Sequence, residues 1–389
     1  MNHQEILENM AKGREAGLLH QDSEDQHLDG RIVTLRGQPM VNLASCSYLG
    51  LETHPALKAG AIAATEAYGT QFSISRAYIS APMTERIEDL LTQMTGRPSL
   101  LCPTTSLGHQ AALPALVAEG DLVLMDQFAH SSVQLAGHLL RLAGHAVQTL
   151  PHMNLDALDR KIERAKGRRV WLLMDGALSM HGSIAPFADL AERLESHENL
   201  LLYIDDAHST GWAGKNGRGL ALDHFADHPR VVVALSLNKS FACAGGLLAL
   251  PDKETRNLIR VTGAALNASG PIQPPMLGAI AASAELHLSD ELPALQKALI
   301  ERINMVNAAA AKRQLPLTSE HLTPIRYFRV GDTYKAGGIA IDLQKSGFYL
   351  SCVSHPAVPH RDAGLRISLT LQQKEEDLIE LLDLMSEAF

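Results

Sequence analysis

The 389-residue sequence predicts an α/β fold: a mostly parallel sheet domain followed by a smaller α+β C-terminal domain. Three observations carry that prediction. Short apolar runs at 122–125, 170–174, 200–204 and 231–235 end abruptly in polar residues, as strands buried on both faces of a parallel sheet do. Before and between them lie segments with helical spacing, such as Ile87, Leu90, Leu91, Met94 and Leu155, Leu158, Ile162. After Pro271-Ile272-Gln273-Pro274-Pro275 the alternation gives way to long helical patterns and then to 365–370, whose period of two suits a half-exposed antiparallel strand.

Composition narrows the class. The chain is 46% hydrophobic and 20% charged, enough for a large core. A net charge of -9 argues against a general nucleic-acid binder, which needs a basic face. Cys46, Cys102, Cys243 and Cys352 have neither CxxC pairing nor zinc spacing, so they read as reduced thiols and no metal site is expected. Met1-Asn2-His3-Gln4-Glu5 lacks a basic and apolar leader, and no apolar run reaches the roughly 18 residues of a membrane span. A cytoplasmic location is expected.

In chain order, the first 28 residues are polar, with a weak helical pattern in Ile6, Met10 and Leu18. Two short strands, 31–36 and 39–43, flank the turn Gly37-Gln38. Pro55 suits a first helical turn, and the alanine-rich 56–68 stops at Gly69. Residues 84–95 form an amphipathic helix, and Thr104-Thr105-Ser106 makes a hydroxyl-rich turn before another helix. His130 opens helix 131–142, and 187–196 is helical. Gly211, Gly214, Gly217 and Gly219 match neither a P-loop nor a dinucleotide fingerprint. One helical region spans 276–313, broken near Pro293, and strands near 325–330, 347–353 and 365–370 precede a helix at 372–388. The expected parts are an N-terminal segment 1–50, a large domain 51–280 and a small domain 281–389.

The polar strand ends carry the chemistry. Open α/β sheets bind ligands at the carboxyl ends of their strands. One run ends at Asp205-Asp206-Ala207-His208, and the next at Ser236-Leu237-Asn238-Lys239. Lys239, read alone, is an ordinary loop lysine, and Asp205 an ordinary strand terminus. Together they are the equipment of pyridoxal-phosphate chemistry, a Schiff-base lysine and an acid for the pyridine nitrogen. His208 offers a hydrogen bond to a ring oxygen or an oxyanion. His130 is either a structural histidine or a flat surface for a ring. The 104–106 turn is either a plain N-cap or a phosphate site. Asp175, Ser179 and His181 form a further polar cluster, and Arg366 is either solvent-facing or a bidentate carboxylate ligand.

These residues sit within a longer series: Ser47-Tyr48-Leu49-Gly50-Leu51, His54-Pro55, Ser75-Arg76, Ala129-His130, Ser179-Met180, Asp205 through Gly211, Gly217-Arg218-Gly219, Lys239, and Arg366 with Ser368-Leu369-Thr370. From about residue 40 onward the chain resembles the α-oxoamine synthases, fold-type-I pyridoxal-phosphate enzymes. The resemblance implies a seven-stranded, mostly parallel sheet, and a homodimer with active sites at its interface. It implies decarboxylative condensation of an amino acid with an acyl-CoA or acyl-carrier thioester to an α-aminoketone. It makes Lys239 the Schiff-base lysine, Asp205 the partner of the pyridine nitrogen and His208 that of the ring oxygen. His130 would stack on the ring. Thr104, Thr105, Ser106, Ser179 and Ser236 join the cofactor site, with the phosphate on Ser236 and the 104–106 turn. Arg366, Cys46 and Ser47 fall to the substrate.

Four departures concern specificity. Cys46 stands where the family has asparagine, Thr104-Thr105-Ser106 where it has Ser-Gly-aromatic, His181 where it has aspartate, and Ala268 where it has threonine, with Ser269 beside it as the stand-in. The stretch 78–83 and the spacing Ser236 to Lys239 look more like the α-aminoketone autoinducer synthases than the biotin enzyme. Two other readings stand beside condensation: an aminotransferase or decarboxylase on the same fold, or a catalytically silent scaffold.

Overall fold

The computed structural model describes residues 3–355 and 357–389. Met1 and Asn2, part of the leader reading, and the side chain of Ile6 lie outside what is described. The chain folds into two compact units: residues 54–178 with 184–296, and residues 1–53, 179–183 and 297–389.

The elements run α1 (His3–Glu15), β1 (Ile32–Leu35), β2 (Gln38–Asn42), α2 (Pro55–Tyr68), α3 (Thr84–Thr95), β3 (Ser99–Cys102) and α4 (Thr105–Leu116). Next come β4 (Leu122–Asp126), α5 (Ser131–Leu142), β5 (Ala146–Leu150), α6 (Leu155–Arg164), β6 (Val170–Asp175), α7 (Phe187–Ser196) and β7 (Leu200–Asp205). They continue with α8 (Leu220–His224), β8 (Val231–Ser236), β9 (Gly246–Ala249), α9 (Lys253–Thr262), α10 (Ala264–Asn267), α11 (Pro274–His287) and α12 (Glu291–Lys312). The chain ends in β10 (Ile325–Gly331), α13 (Thr333–Lys345), β11 (Phe348–Tyr349), β12 (Ser351–Val353), β13 (Ala363–Ser368) and α14 (Glu375–Ala388).

The larger unit is built on a seven-stranded sheet of order β3-β9-β8-β7-β6-β4-β5. The pairs from β8 through β5 are parallel, and only β9 pairs antiparallel, with β8 and β3. Strands β4, β6 and β8 are buried along their whole length, which is why they read as continuous apolar runs. Tyr203, Trp171, Leu173, Val232 and Leu248 pack into a core with α4 and α5 residues such as Ala112 and Val133. Helices α2 and α11 cross tightly: a Cβ at Gly278 would collide with the Gly60 carbonyl oxygen, so glycine sets their separation.

The smaller unit has two three-stranded sheets, β1-β2-β11 and β10-β13-β12. Here the structure corrects the sequence in several places. Strand β13 is not half-exposed; all six of its residues are buried, because it lies between β10 and β12. Its period-two polar residue, Arg366, is therefore a buried cation. The expected strand at 347–353 is two strands serving different sheets, since β11 pairs with β2 and β12 with β13. The helical region 276–313 does break near Pro293, at 288–290, which leaves the proline in the first turn of α12 where its missing N–H costs nothing. Strands β3, β5 and β9 and helices α8, α9, α10 and α13 were not foreseen. Among the described residues no helix is long and apolar enough to cross a membrane.

Candidate active site

Five segments at strand ends line a cleft of ≈ 560 Å³ in the larger unit. They bring together Thr104, Thr105, Ser106, His130, Asp175, Asp205, His208, Ser236 and Lys239, with Ser132 and Asn238. Each is held by local chemistry.

The 104–106 turn begins α4. The Thr104 hydroxyl accepts from the Leu107 N–H at 3.1 Å, while Thr105 Oγ1 donates to the Leu235 carbonyl at 3.3 Å. The helix N-terminus is pressed against β9, where a Cβ at Gly246 would collide with the Thr105 nitrogen. Only glycine permits that approach. A helix N-terminus beside three hydroxyls suits a phosphate.

Lys239 sits in a loop closed by backbone bonds: Leu237 N to Gly245 O at 3.1 Å, Cys243 N to Leu237 O at 2.7 Å, and Ala242 N to Lys239 O at 2.9 Å. The turn holds Ala242 at φ 60, a strained value for a residue with a Cβ. Ser236 is buried at the end of β8; its N–H donates to the Thr210 hydroxyl at 3.3 Å, and its own hydroxyl donates to Asn238.

Asp205 ends β7 and faces Asp175 across the parallel register of β6 and β7. Two buried carboxylates so placed do not ionise equally. Burial, then the charge of Asp205, pushes Asp175 well above the carboxylate range. Burial also raises Asp205, but the charge and hydrogen bond of His109, followed by Lys239 and His130, outweigh it and leave Asp205 low. Asp205 is the ionised acid. His109 was not foreseen. It lies on α4 with no exposed surface, its Nε2 3.0 Å from Asp205 Oδ2 and its Nδ1 2.9 Å from the Tyr203 hydroxyl. The one sequence signal was its place four residues after Thr105, on the same helical face.

His130 caps α5; its N–H donates to Asp175 Oδ1 at 2.9 Å, and its Nδ1 meets the Ser132 hydroxyl at 2.7 Å. Desolvation lowers its pKa, against the charge of Asp205 and with that of Lys239, so it presents a neutral, flat imidazole. His208 follows Asp205 in a turn where Ser209 and Thr210 N–H groups both donate to the Asp206 carbonyl. Asp206 itself turns away from the cleft and accepts from Ala221 N at 2.8 Å.

The remaining sequence candidates belong to the smaller unit. Arg366 is 6% exposed; its Nε donates to the Ser179 carbonyl at 2.7 Å, Nη1 to Ser368 Oγ at 3.0 Å, and Nη2 points to Cys46 Sγ at 3.6 Å. Among the described residues no carboxylate forms an ion pair with this guanidinium. Ser47 donates to Glu52. Ser179 thus meets Arg366 through its carbonyl and is not among the residues lining the cleft.

The sequence pattern of aminotransferases of class I and II matches residues 38–383. An 8-amino-7-oxononanoate synthase of Symbiobacterium thermophilum is 31% identical over 97% of this chain and 95% of its own length. Another, of Maricaulis maris, is also 31% identical, over 96% and 94%. The chain belongs to the class I and II aminotransferase family and, within it, to the α-oxoamine synthases. Its fold is theirs: serine palmitoyltransferase of Sphingomonas wittichii superposes with a TM-score of 0.89 at 19% identity, covering 99% of this chain and 96% of that one. An 8-amino-7-oxononanoate synthase of Francisella tularensis gives 0.72 at 21%, covering 90% and 97%. This α-oxoamine synthase is a pyridoxal-phosphate-dependent C-acyltransferase, and its relatives favour condensation over transamination, simple decarboxylation or a silent scaffold. The donor set of the cleft fits the cofactor: an amine for the aldehyde, an ionised acid for the ring nitrogen, and a helix N-terminus with hydroxyls for the phosphate.

Proposed function

We propose that the protein joins a small amino acid to an acyl-CoA or acyl-carrier thioester, with loss of CO2 and free thiol, and works as a cytoplasmic homodimer. The observation that carries the reading is the ionised Asp205, secured by His109, in one cleft with Lys239 and the amino end of α4. Pyridoxal phosphate, when bound, supplies an electron sink for negative charge at the amino acid's Cα.

The protein's residues do the rest. Thr104, Thr105, Ser106 and Ser236 would hold the phosphate, Lys239 the aldehyde group, and Asp205 would keep the ring nitrogen protonated. The neutral imidazole of His130 would offer a flat face to the ring. His208 would donate to the ring oxygen or to an oxyanion. The Lys239 amine would serve as the base for the Cα proton. Arg366, a buried cation with no carboxylate partner among the described residues, would bind the amino-acid carboxylate, with Cys46 and Ser47 beside it, and Ser179 would orient it.

The substrates follow from chemistry. The relatives' product, 8-amino-7-oxononanoate, is itself an α-aminoketone. Cutting it between the ketone and the amine-bearing carbon leaves alanine and an ω-carboxyacyl thioester. That pair heads the panel. Cys46, His181 and Ala268 depart from the family's residues, which supports extending the panel to other small amino acids and to plain fatty-acyl chains.

The test follows thiol release, CO2 and product mass when the cofactor-loaded protein meets the panel. Expected is strictly thioester-dependent product, abolished in Lys239→Ala together with the absorbance band at the visible edge. Keto-acid or amine formation without thioester, or no thiol release across the panel, would overturn the reading.

A further inference from the structure

We propose that His109 and Tyr203 form a buried relay behind Asp205, making His109 the positioning residue that keeps this carboxylate ionised and aimed into the cleft. The inference rests on the reading that Asp205 meets the ring nitrogen, and extends it to two residues outside the lining of the cleft.

The geometry is specific. Tyr203 and Asp205 are two apart on β7, so both side chains leave the same face of the strand. Helix α4 packs over that face, and His109 bridges the pair with both ring nitrogens, at 2.9 Å to the hydroxyl and 3.0 Å to the carboxylate. The imidazole stands edge-on to Tyr203, ring centroids 5.7 Å apart at 68°. Neither His109 nor Tyr203 has exposed surface, so no water competes for these bonds. The other carboxylate oxygen, Oδ1, accepts from Ala207 N at 3.1 Å. Each oxygen of Asp205 is therefore tied to a different element, and the remaining lone pairs are fixed in direction.

Charge decides the outcome. Burial favours a proton on Asp205, and among the groups opposing it His109 is the largest, ahead of Lys239 and His130. With Nε2–H donating to Asp205, a neutral imidazole accepts from the Tyr203 hydroxyl at Nδ1; a charged one donates there. The relay stays bonded in either state. Lys239 and His130 line the cleft, whereas His109 lies buried outside its lining. It thereby separates the roles of the two acids on β6 and β7.

The experiment measures dissociation constants of the full-length apo-protein for two ligands: pyridoxal phosphate and its carbocyclic analogue, in which CH replaces the ring nitrogen. The ratio reports what the ring nitrogen gains from the protein. Wild type should prefer pyridoxal phosphate, and Asp205→Asn should abolish the preference. His109→Asn, which keeps a polar side chain, should compress the ratio about tenfold, the equivalent of one pKa unit. Tyr203→Phe, which removes only a hydroxyl, should compress it less but in the same direction. If His109→Asn weakens both ligands equally while Asp205→Asn removes the preference, the histidine is merely structural and the relay is wrong. If Asp205→Asn leaves the ratio unchanged, the placement of the ring nitrogen falls, and the relay with it.

Discussion

At the scale of single residues, Arg366 carries the sharpest expectation. A guanidinium at 6% exposure that bonds to a carbonyl, a hydroxyl and a thiol is desolvated with no carboxylate ion pair among the described residues. A substrate carboxylate would supply one, through paired bonds that lysine cannot reproduce. Arg366→Lys should therefore raise KM for the amino acid by about 10- to 100-fold, worth roughly 1.4–3 kcal/mol. The KM for the thioester should stay within about twofold. Steady-state kinetics with each substrate varied in turn checks it, and an equal rise in both constants would speak against a carboxylate site. Reading the sequence, Arg366 was one residue of an alternating strand with two open readings. Its burial depends on β10 and β12 closing over β13 and on Cys46 and Ser179 reaching it from distant parts of the chain.

At the scale of elements, Asp206 ties the segment after β7 to the start of α8. Its Oδ2 accepts from Ala221 N, and Gly176 and Gly219 pack so close that a Cβ at either would meet its carboxylate oxygens. Burial raises this carboxyl to about 7. The folded state thus holds a proton that the unfolded chain releases near 3.8. Stability from this group is complete below the ordinary carboxylate value and is lost as pH rises toward 7. The expected loss is on the order of 4 kcal/mol. Asp206→Asn should flatten that decline between about pH 4 and 7, measured by denaturant unfolding across pH; an unchanged slope would show the carboxyl to be ionised in the fold. Asp205, with its pKa lowered, has the opposite sign, and its contribution is lost only on acidification. Two adjacent aspartates, indistinguishable in composition, end with opposite protonation because His109 outweighs burial at one, whereas burial outweighs the N–H donors at the other.

At the scale of the molecule, apolar side chains remain exposed on the larger unit: Ile62 and Tyr68 on α2, Tyr78 and Ile79 in the following loop, and Leu258 and Val261 on α9. The loop is fastened near α10 and α11, with Ser75 Oγ on the Asn267 carbonyl at 2.9 Å and Phe72 N on Gln273 Oε1 at 2.8 Å. Exposed apolar surface of this kind supports association with a second copy. Light scattering on the purified protein should give twice the chain mass, and Val261→Glu with Ile79→Glu should shift it toward the monomer. A wild-type monomer at micromolar concentration would end the homodimer proposal.

The sequence by itself determined the strand ends and the residues they deliver. A buried parallel strand must be apolar along its length, so Asp205, Ser236 and Lys239 stand out where β7 and β8 stop. It likewise determined the caps: Pro55 and Gly69 bound α2, and Thr104 starts α4. Elements without that contrast stayed hidden. Helix α13 carries Gly337-Gly338, each costing about 1 kcal/mol of helix propensity, and edge strand β5 is largely exposed. Only the tertiary structure decided which charges are buried and against what. The His109–Asp205 bond joins residues 96 apart in the chain, and the Arg366–Cys46 contact joins residues 320 apart. Local pattern records whether a residue's own segment is apolar, whereas the charge state of a buried acid or base is set by neighbours that packing alone brings within a hydrogen bond.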